Sequence, residues 1–191
     1  MLSLPINQQL TNLQNWQQRV FCMALSEQSR LHFHLFCEAI ESNNTQKIDL
    51  YNQLFWDKMI NKGSKVNFAI QQEAFDEIIP NAADFDFYGV YPAIDHCVIL
   101  SCTFNSFINK SSEEALNASQ TAFSTIASFI ELQQSELSEI QLKETMLFQT
   151  QLAFQKELLI KLDNLRSPEL IKSIRQFVIE QGSTNLGIAY N

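Results

Sequence analysis

Four glycines and four prolines are all that this chain of 191 residues contains, and this scarcity restricts its fold more than any other feature. A sheet protein needs many tight turns, and turns are where glycine and proline concentrate. Apolar residues make up 46% of the chain, 15 of them phenylalanine, so there is enough apolar surface to build a core. The sequence therefore predicts an all-α protein that folds as a single domain over residues 1–191.

Apolar residues recur at helical spacing along most of the chain and predict a compact bundle of about seven or eight helices. Ser29, Ser111 and Ser167 are each placed to cap the start of a helix. The segment 135–144 is ambiguous, because Ser138 could cap an additional helix there. The predicted helices cover residues 7–26, 29–41, 45–62, 64–79 or 67–79, 92–108, 112–134, 145–165 and 168–181.

The predicted helix over residues 92–108 carries apolar side chains around most of its circumference. A helix of this kind is buried among others, so we expect it at the centre of the bundle. Gly89 is expected to hold a positive φ and Pro92 to be the first helical residue, which gives both a structural role. Asp95 and His96 would then lie near the exposed start of the helix.

The loop before this helix concentrates polar side chains and is the candidate ligand-binding site. Clustered carboxylates and a histidine could perform acid–base chemistry or hold a divalent ion, although no recognised ligand spacing is present. The alternative is architectural: the loop turns a corner, its aromatic rings plug the end of the bundle, and its aspartates form turns or caps. The candidate residues are Asp84, Asp86, Tyr88, Tyr91, Asp95 and His96.

The other histidines and the cysteines favour structural roles. His32 and His34 are two residues apart, so on a helix they project about 200° from each other and cannot chelate one ion. The cysteines form no CxxC pair and each lies within an apolar helical run, which indicates buried free thiols in a reducing cytoplasm. We predict no metal and no cofactor, and no catalytic signature assigns a catalytic residue. The cysteines are Cys22, Cys37, Cys97 and Cys102.

The charge of the chain argues against several classes of partner. It has 21 acidic and 13 basic residues, for a net charge of −8, and no two basic residues are adjacent. Nucleic acids and anionic membranes are bound by clustered basic groups, so we predict neither as a partner. The N-terminus lacks the features of a secretory signal, and no segment approaches the roughly 18 apolar residues of a membrane span. We expect a cytoplasmic protein, in which an acidic patch could receive a basic partner.

Several motifs resemble the YjaG-like family of uncharacterised bacterial proteins, and the resemblance runs over nearly the whole chain. It implies an all-helical cytosolic protein and supplies no catalytic residues. The motifs are KVNF at residues 65–68, DFDFYGVYPAID at 84–95 and STNLGI at 183–188, together with residues 16–21 and the FC pair at 36–37.

Two functional hypotheses remain open. Aromatic-rich helix faces and missing catalytic signatures favour a non-enzymatic cytosolic interaction or accessory protein, which could bind a protein partner or associate with itself as a homodimer. The alternative is a small-ligand-binding protein or enzyme that uses the acidic and aromatic corner at residues 84–96.

Overall fold

The computed structural model describes residues 2–61, 63, 65–109, 113–134 and 137–190. These ranges contain nine α-helices and one short 3₁₀-helix, and their only β geometry is an isolated bridge between Ser183 and Ala189. The all-α fold class is therefore confirmed. The helices are α1 (Asn7–Thr11), α2 (Asn15–Ala39), α3 (Thr45–Ile60), α4 (Phe68–Asp76), α5 (Val90–Ile108), α6 (Glu114–Gln133), α7 (Glu139–Glu144), α8 (Met146–Leu162) and α9 (Pro168–Glu180), with the 3₁₀-helix at Ala82–Asp84.

The predicted boundary between the first two helices is wrong. The break lies at residues 12–14, and α2 then runs without interruption for 25 residues. The side chain of Gln17 accepts the Gln14 N–H at 2.7 Å at the start of α2. Ser29, predicted to cap a second helix, instead donates its hydroxyl to the Leu25 carbonyl oxygen at 2.9 Å within α2. The polar residues in the middle of α2 are held by tertiary partners, so they do not end the helix.

The start of α5 also differs from its prediction. The Tyr91 N–H donates a hydrogen bond to the Tyr88 carbonyl oxygen at 3.0 Å, so a helical turn already begins before Gly89. Gly89 has a φ of −57°, which makes the predicted positive φ wrong, and Pro92 is the third helical residue rather than the first. Glycine is favoured at position 89 for a steric reason instead. A Cβ at this position would lie 3.1 Å from Cε2 of Phe87.

Side chains cap three of the helices by accepting hydrogen bonds from backbone amides. The predicted cap Ser167 is confirmed, since it accepts the Leu170 N–H at 3.0 Å at the start of α9. Asn67, one of the two predicted starts of the fourth helix, caps α4, and Ser138 caps α7, which is the additional helix that the sequence left open. The predicted cap Ser111 and the alternative helix start at residue 64 lie outside the described residues.

The centre of the bundle is formed by α2 and α5, which pack along each other, while α6 packs against both. α5 is central as predicted, although Tyr91, Val98 and Ile108 leave part of its circumference exposed, and α2 is buried on all sides over residues 20–29. Phe104 of α5 anchors two outer helices, with ring centroids 4.8 Å from Phe55 on α3 and 5.4 Å from Phe75 on α4. None of the helices in the described ranges is both long and apolar enough to span a membrane.

The C-terminal tail docks on the bundle, as its apolar alternation predicts. The side-chain amide of Asn185 donates to the Ala122 carbonyl oxygen of α6 at 2.9 Å. The Tyr190 hydroxyl lies 2.6 Å from the Gln28 carbonyl oxygen and 2.8 Å from that of Glu27. The tail therefore joins α6 to the middle of α2.

Replacement of Gly89 by alanine tests whether the ring of Phe87 explains the glycine. We expect Gly89→Ala to lower the free energy of unfolding by about 1 kcal/mol, because the new methyl group must displace a ring that packs against Phe36. In a Phe87→Leu background the same substitution should cost about half as much or less, since the shorter side chain leaves room. Urea unfolding of the four proteins measures both costs, and equal costs in the two backgrounds would contradict this explanation.

Candidate functional site

The structure brings three of the predicted site residues together where the start of α5 meets the end of α6. The ring centroids of Tyr88 and Tyr91 are 6.0 Å apart. The ring of Tyr88 also lies 6.2 Å from that of Phe129 on α6. Asp95 lies one turn along α5 from Tyr91, and its negative charge acts on the Tyr88 phenol. The predicted corner thus includes an α6 residue that sequence reasoning missed.

Two exposed stripes extend this contact over the surface. Tyr91, Asp95 and Val98 share one face of α5, and Phe129 and Leu132 share one face of α6, because residues three or four apart are neighbours on a helix. Tyr91 is 53% exposed, Val98 41% and Leu132 63%. We call this region the corner surface, and it consists of Tyr88, Tyr91, Asp95, Val98, Phe129 and Leu132.

The Asp95 carboxyl group is half-buried within the corner surface. Burial raises the pKa of Asp95, and a hydrogen bond with the Thr125 side chain of α6 partly offsets that rise. Burial also raises the pKa of Tyr88, and the nearby negative charge of Asp95 adds to that effect. No basic side chain within the described ranges forms an ion pair with Asp95. Asp95 is therefore a partly desolvated carboxylate among aromatic rings.

Asp84 and Asp86 are exposed on the loop that leads to the corner surface. Their neighbours alternate with them and point inward: the rings of Phe85 and Phe87 pack on Phe36 of α2, with centroid distances of 4.9 and 6.0 Å. The aromatic part of the architectural interpretation is thereby confirmed, since these rings close the end of the bundle. The two aspartates lie outside the contact between α5 and α6.

His96 lies in the core and not at the corner. It is fully buried, so the expectation that it would lie near an exposed helix start is wrong. Asp95 and His96 are adjacent, and consecutive helical residues project about 100° apart, so Asp95 faces α6 while His96 faces α2. Nδ1 of His96 lies 2.9 Å from the Ser29 hydroxyl oxygen of α2.

A second buried histidine, His32, lies one turn along α2 from Ser29. Neither of its ring nitrogens, nor Nε2 of His96, has a hydrogen-bond partner among the described residues. Burial lowers the pKa of His32 to about 4. Burial, followed by the charges of His32, His34 and Arg30, lowers the pKa of His96 well below its ordinary value. Both imidazoles are therefore neutral at pH 7.

A charge cluster surrounds the buried Glu27 carboxylate, and no pattern in the sequence predicted it. The Trp56 indole N–H donates to Glu27 Oε2 at 2.9 Å, and Arg30 Nη2 lies 3.2 Å from Oε1. Arg175 of α9 places its Nε 3.7 Å from Oε2 and its guanidinium carbon 5.7 Å from the centroid of the Trp56 ring. Arg30 also binds Asp49 of α3 at 2.6 Å. The only sequence signal is an acid and an arginine three residues apart within a short polar run, residues 26–30, that interrupts an apolar stretch.

Glu27 belongs to a row of buried polar residues on α2 that bind partners throughout the bundle. Ser26 donates to Asn52 of α3 at 3.0 Å, and Gln151 of α8 donates to Gln28 at 3.0 Å. Together with the contacts of Glu27, Ser29 and the tail, these bonds connect α2 to four other helices and to the C-terminus. We call this row the polar belt, and it consists of Ser26, Glu27, Gln28 and Ser29, together with His32, whose ring nitrogens have no hydrogen-bond partner among the described residues.

The cysteine side chains are free and buried, as predicted. Burial raises the pKa of all four thiols, that of Cys102 to about 12, so they are protonated at pH 7. The described residues contain no group of three or more histidine, cysteine, aspartate or glutamate side chains placed to hold a metal ion.

Open grooves lie at other places on the described surface. One of about 690 Å³ is lined by Lys58, Lys65 and Phe107 near the start of α4. Another of about 650 Å³ runs between α1 and α8, with Gln9 and Ile160 in its walls. Neither includes a predicted site residue, so the corner surface is the place where those residues meet.

Comparison with known proteins assigns the chain to a family. The family model described as "Protein of unknown function (DUF416)" matches residues 5–189. The chain belongs to the DUF416 family. The predicted resemblance to YjaG-like bacterial proteins is confirmed, since the "Uncharacterized protein YjaG" of Escherichia coli is 36% identical over 195 residues, which cover 100% of this chain and 99% of that protein.

Two further proteins are similar to this chain, one in sequence and one in fold. An "Uncharacterized protein" of Haemophilus influenzae is 33% identical over 192 residues and covers 98% of both chains. The crystal structure of a DUF416 family protein from Shewanella baltica has a TM-score of 0.89 and 26% identity, and the match covers 98% of this chain and 100% of that one. DUF416 is a family of unknown function, so the function must be argued from the residues themselves.

The buried histidines predict an acid-sensitive fold. The pKa of His32 is about 4 when folded and about 6.5 when unfolded, so the unfolded chain binds more protons between these values and stability falls as the pH falls below about 6.5. At pH 5 this histidine alone should remove about 2 kcal/mol of the free energy of unfolding. Urea unfolding at pH 7.5 and 5.0 should show His32→Leu losing less stability than the wild type over this interval. His34→Gln, at a partly exposed position, should retain the steep dependence, and an unchanged slope in His32→Leu would contradict the assignment.

The polar belt predicts a large effect from a change of one atom. Glu27→Gln should lower the free energy of unfolding by about 2 kcal/mol, because Arg30 and Arg175 lose their shared counter-ion. Glu157→Gln is the matched control. Glu157 forms an exposed ion pair with Lys161 at 3.4 Å on one helix, and its loss should cost less than about 0.5 kcal/mol. Thermal or urea unfolding measures the cost of each substitution. Equal costs would mean that the Glu27 cluster stabilises the fold no more than an exposed ion pair does.

Proposed function

We propose that this DUF416 protein is a non-enzymatic interaction or accessory protein of the cytoplasm, and that the corner surface is where its partner binds. The observation that carries the proposal is the grouping of exposed apolar side chains there. Tyr91, Val98 and Leu132 are each more than two-fifths exposed, and the rings of Tyr91 and Phe129 both contact that of Tyr88. Contiguous exposed apolar surface marks interaction sites more often than scattered apolar residues do.

The kinds of side chain at the corner surface support protein recognition. Tyrosine is enriched among the residues that dominate binding energy, because it offers a large rigid ring with a polar end. Tyr91 and Leu132 are carried by α5 and α6, and α5 is anchored in the core. A surface held by two packed helices loses little conformational freedom on binding, which favours affinity. The partner could be another protein or a second copy of this chain.

A small-ligand-binding or enzymatic function at residues 84–96 has one observation in its favour. The raised pKa of Asp95 is a feature that functional carboxylates share. The acid–base pair in that hypothesis needs His96 beside Asp95, however, and His96 faces α2 with its Nδ1 on Ser29. The corner surface therefore supports binding better than proton transfer.

Site-specific photocross-linking in bacterial cells tests the proposed binding surface. With benzoylphenylalanine at Leu132, irradiation should join the protein covalently to one defined partner, because this position lies within the proposed contact. Leu165 is the control, since it is 93% exposed but follows α8 at the opposite end of the bundle. Addition of Tyr91→Ala to the Leu132 variant should strongly reduce the yield of the product.

The cross-linked product also identifies the kind of partner. A product of twice the chain mass, with a dimer in light scattering, would indicate a homodimer that uses the corner surface. A heterologous protein would indicate an accessory role. Equal products from the Leu132 and Leu165 positions, or none from either, would overturn the proposal that the corner surface is the interface.

A further inference from the structure

The corner surface has a chemical character beyond being apolar. The Tyr88 ring is central, with the Tyr91 ring at 45° to it and the Phe129 ring at 44°. The half-buried Asp95 carboxyl group lies close enough to Tyr88 to raise the pKa of its phenol. Ring faces carry negative electrostatic potential and attract cations within about 6 Å, and a carboxylate strengthens that attraction.

Other aromatic rings of this protein already hold a cation of their own. The guanidinium of Arg19 lies 5.0 Å from the centroid of Phe107, and the ammonium of Lys161 lies 4.5 Å from that of Phe177. Arg175 covers Trp56 in the Glu27 cluster. Within the described ranges, no lysine or arginine stacks on the three rings of the corner surface or pairs with Asp95. The described part of the chain therefore does not itself satisfy the attraction of these rings for a cation.

The overall charge indicates which kind of molecule would supply that cation. The net charge of −8 favours the approach of a basic partner. Val98 and Leu132 flank the rings with exposed aliphatic surface, which suits the methylene stem of a lysine or arginine and its apolar neighbours in a chain. A second copy of this acidic chain would offer less charge complementarity than a basic partner.

We propose that the corner surface receives a lysine or arginine side chain from a basic segment of a partner protein, with its cationic group between the rings of Tyr88, Tyr91 and Phe129 and beside the Asp95 carboxylate. This inference rests on the proposed function and specifies its partner. The incoming charge offsets the unfavourable desolvation of Asp95, so binding and the burial of that carboxylate support each other.

Nuclear magnetic resonance titration tests the chemistry directly on the full chain. The probes are N-acetyl-arginine methylamide, N-acetyl-lysine methylamide and the uncharged N-acetyl-norleucine methylamide, at constant ionic strength. The two cationic amides should shift the ring resonances of Tyr88, Tyr91 and Phe129 in a saturable manner, and the norleucine amide should shift them much less. Asp95→Asn and Tyr91→Leu should each weaken the binding of the arginine amide by about two- to fivefold.

Asp76→Asn is the matched control, because it removes one exposed negative charge from α4 without touching the corner surface. It should leave the titration nearly unchanged. The proposal is overturned if the norleucine amide binds as well as the arginine amide, if Asp95→Asn has no effect, or if the rings do not respond. Spermidine that binds more tightly than a nonapeptide with one central arginine would also overturn it, in favour of a small organic cation.

These outcomes are separate from those of the cross-linking experiment. A partner captured at Leu132 together with rings that ignore the cationic amides would leave the interaction surface standing and remove only its cationic character. Responsive rings without a captured protein would retain cation recognition but overturn the assignment to a partner protein.

Discussion

The burial of polar side chains in the middle of α2 is the constraint on which the rest of the structure depends. Residues 20–29 are all buried, and the polar belt lies within and just after this stretch. Polar groups in a protein interior are costly unless they find partners, so the surrounding elements must each supply one. Asn52 and Trp56 come from α3, Gln151 from α8 and Arg175 from α9. The order in which helices surround α2 follows largely from these bonds.

The same constraint explains why neighbouring residues of α5 have such different surroundings. The face of α5 that meets α2 brings His96 to Ser29 and excludes it from solvent. The adjacent Asp95 is turned toward α6, where it joins the exposed rings of the corner surface. Adjacent residues of α5 therefore have different surroundings. His96 contributes to the packing of the bundle interior, whereas Asp95 lies at the surface, where the proposed partner would bind.

The sequence predicts those features that depend on local patterns. Helical periodicity and capping residues such as Ser138 and Ser167 identified helices correctly, because caps act within one turn. Local patterns failed where distant partners decide the outcome. Glu27 fell between the predicted helices over residues 7–26 and 29–41, although its partners Trp56 and Arg175, distant in sequence, hold it inside one continuous helix. The corner surface was predicted only on its α5 side, since nothing in the chain shows that Phe129 packs against Tyr88.

The corner surface and the interior differ in whether their ionisable side chains already have partners. This difference decides which of the two is better suited to bind a ligand. Glu27 is already matched by two arginines and an indole N–H, so a ligand there would have to compete with bonds that stabilise the fold. His32 and His96 are neutral and sealed between α2 and α5. Asp95 alone among these groups combines partial burial with access to solvent, so its desolvation is a free-energy cost that the folded chain retains. A cation bound beside Asp95 would recover that cost, which is why the proposed recognition surface is centred on this carboxylate.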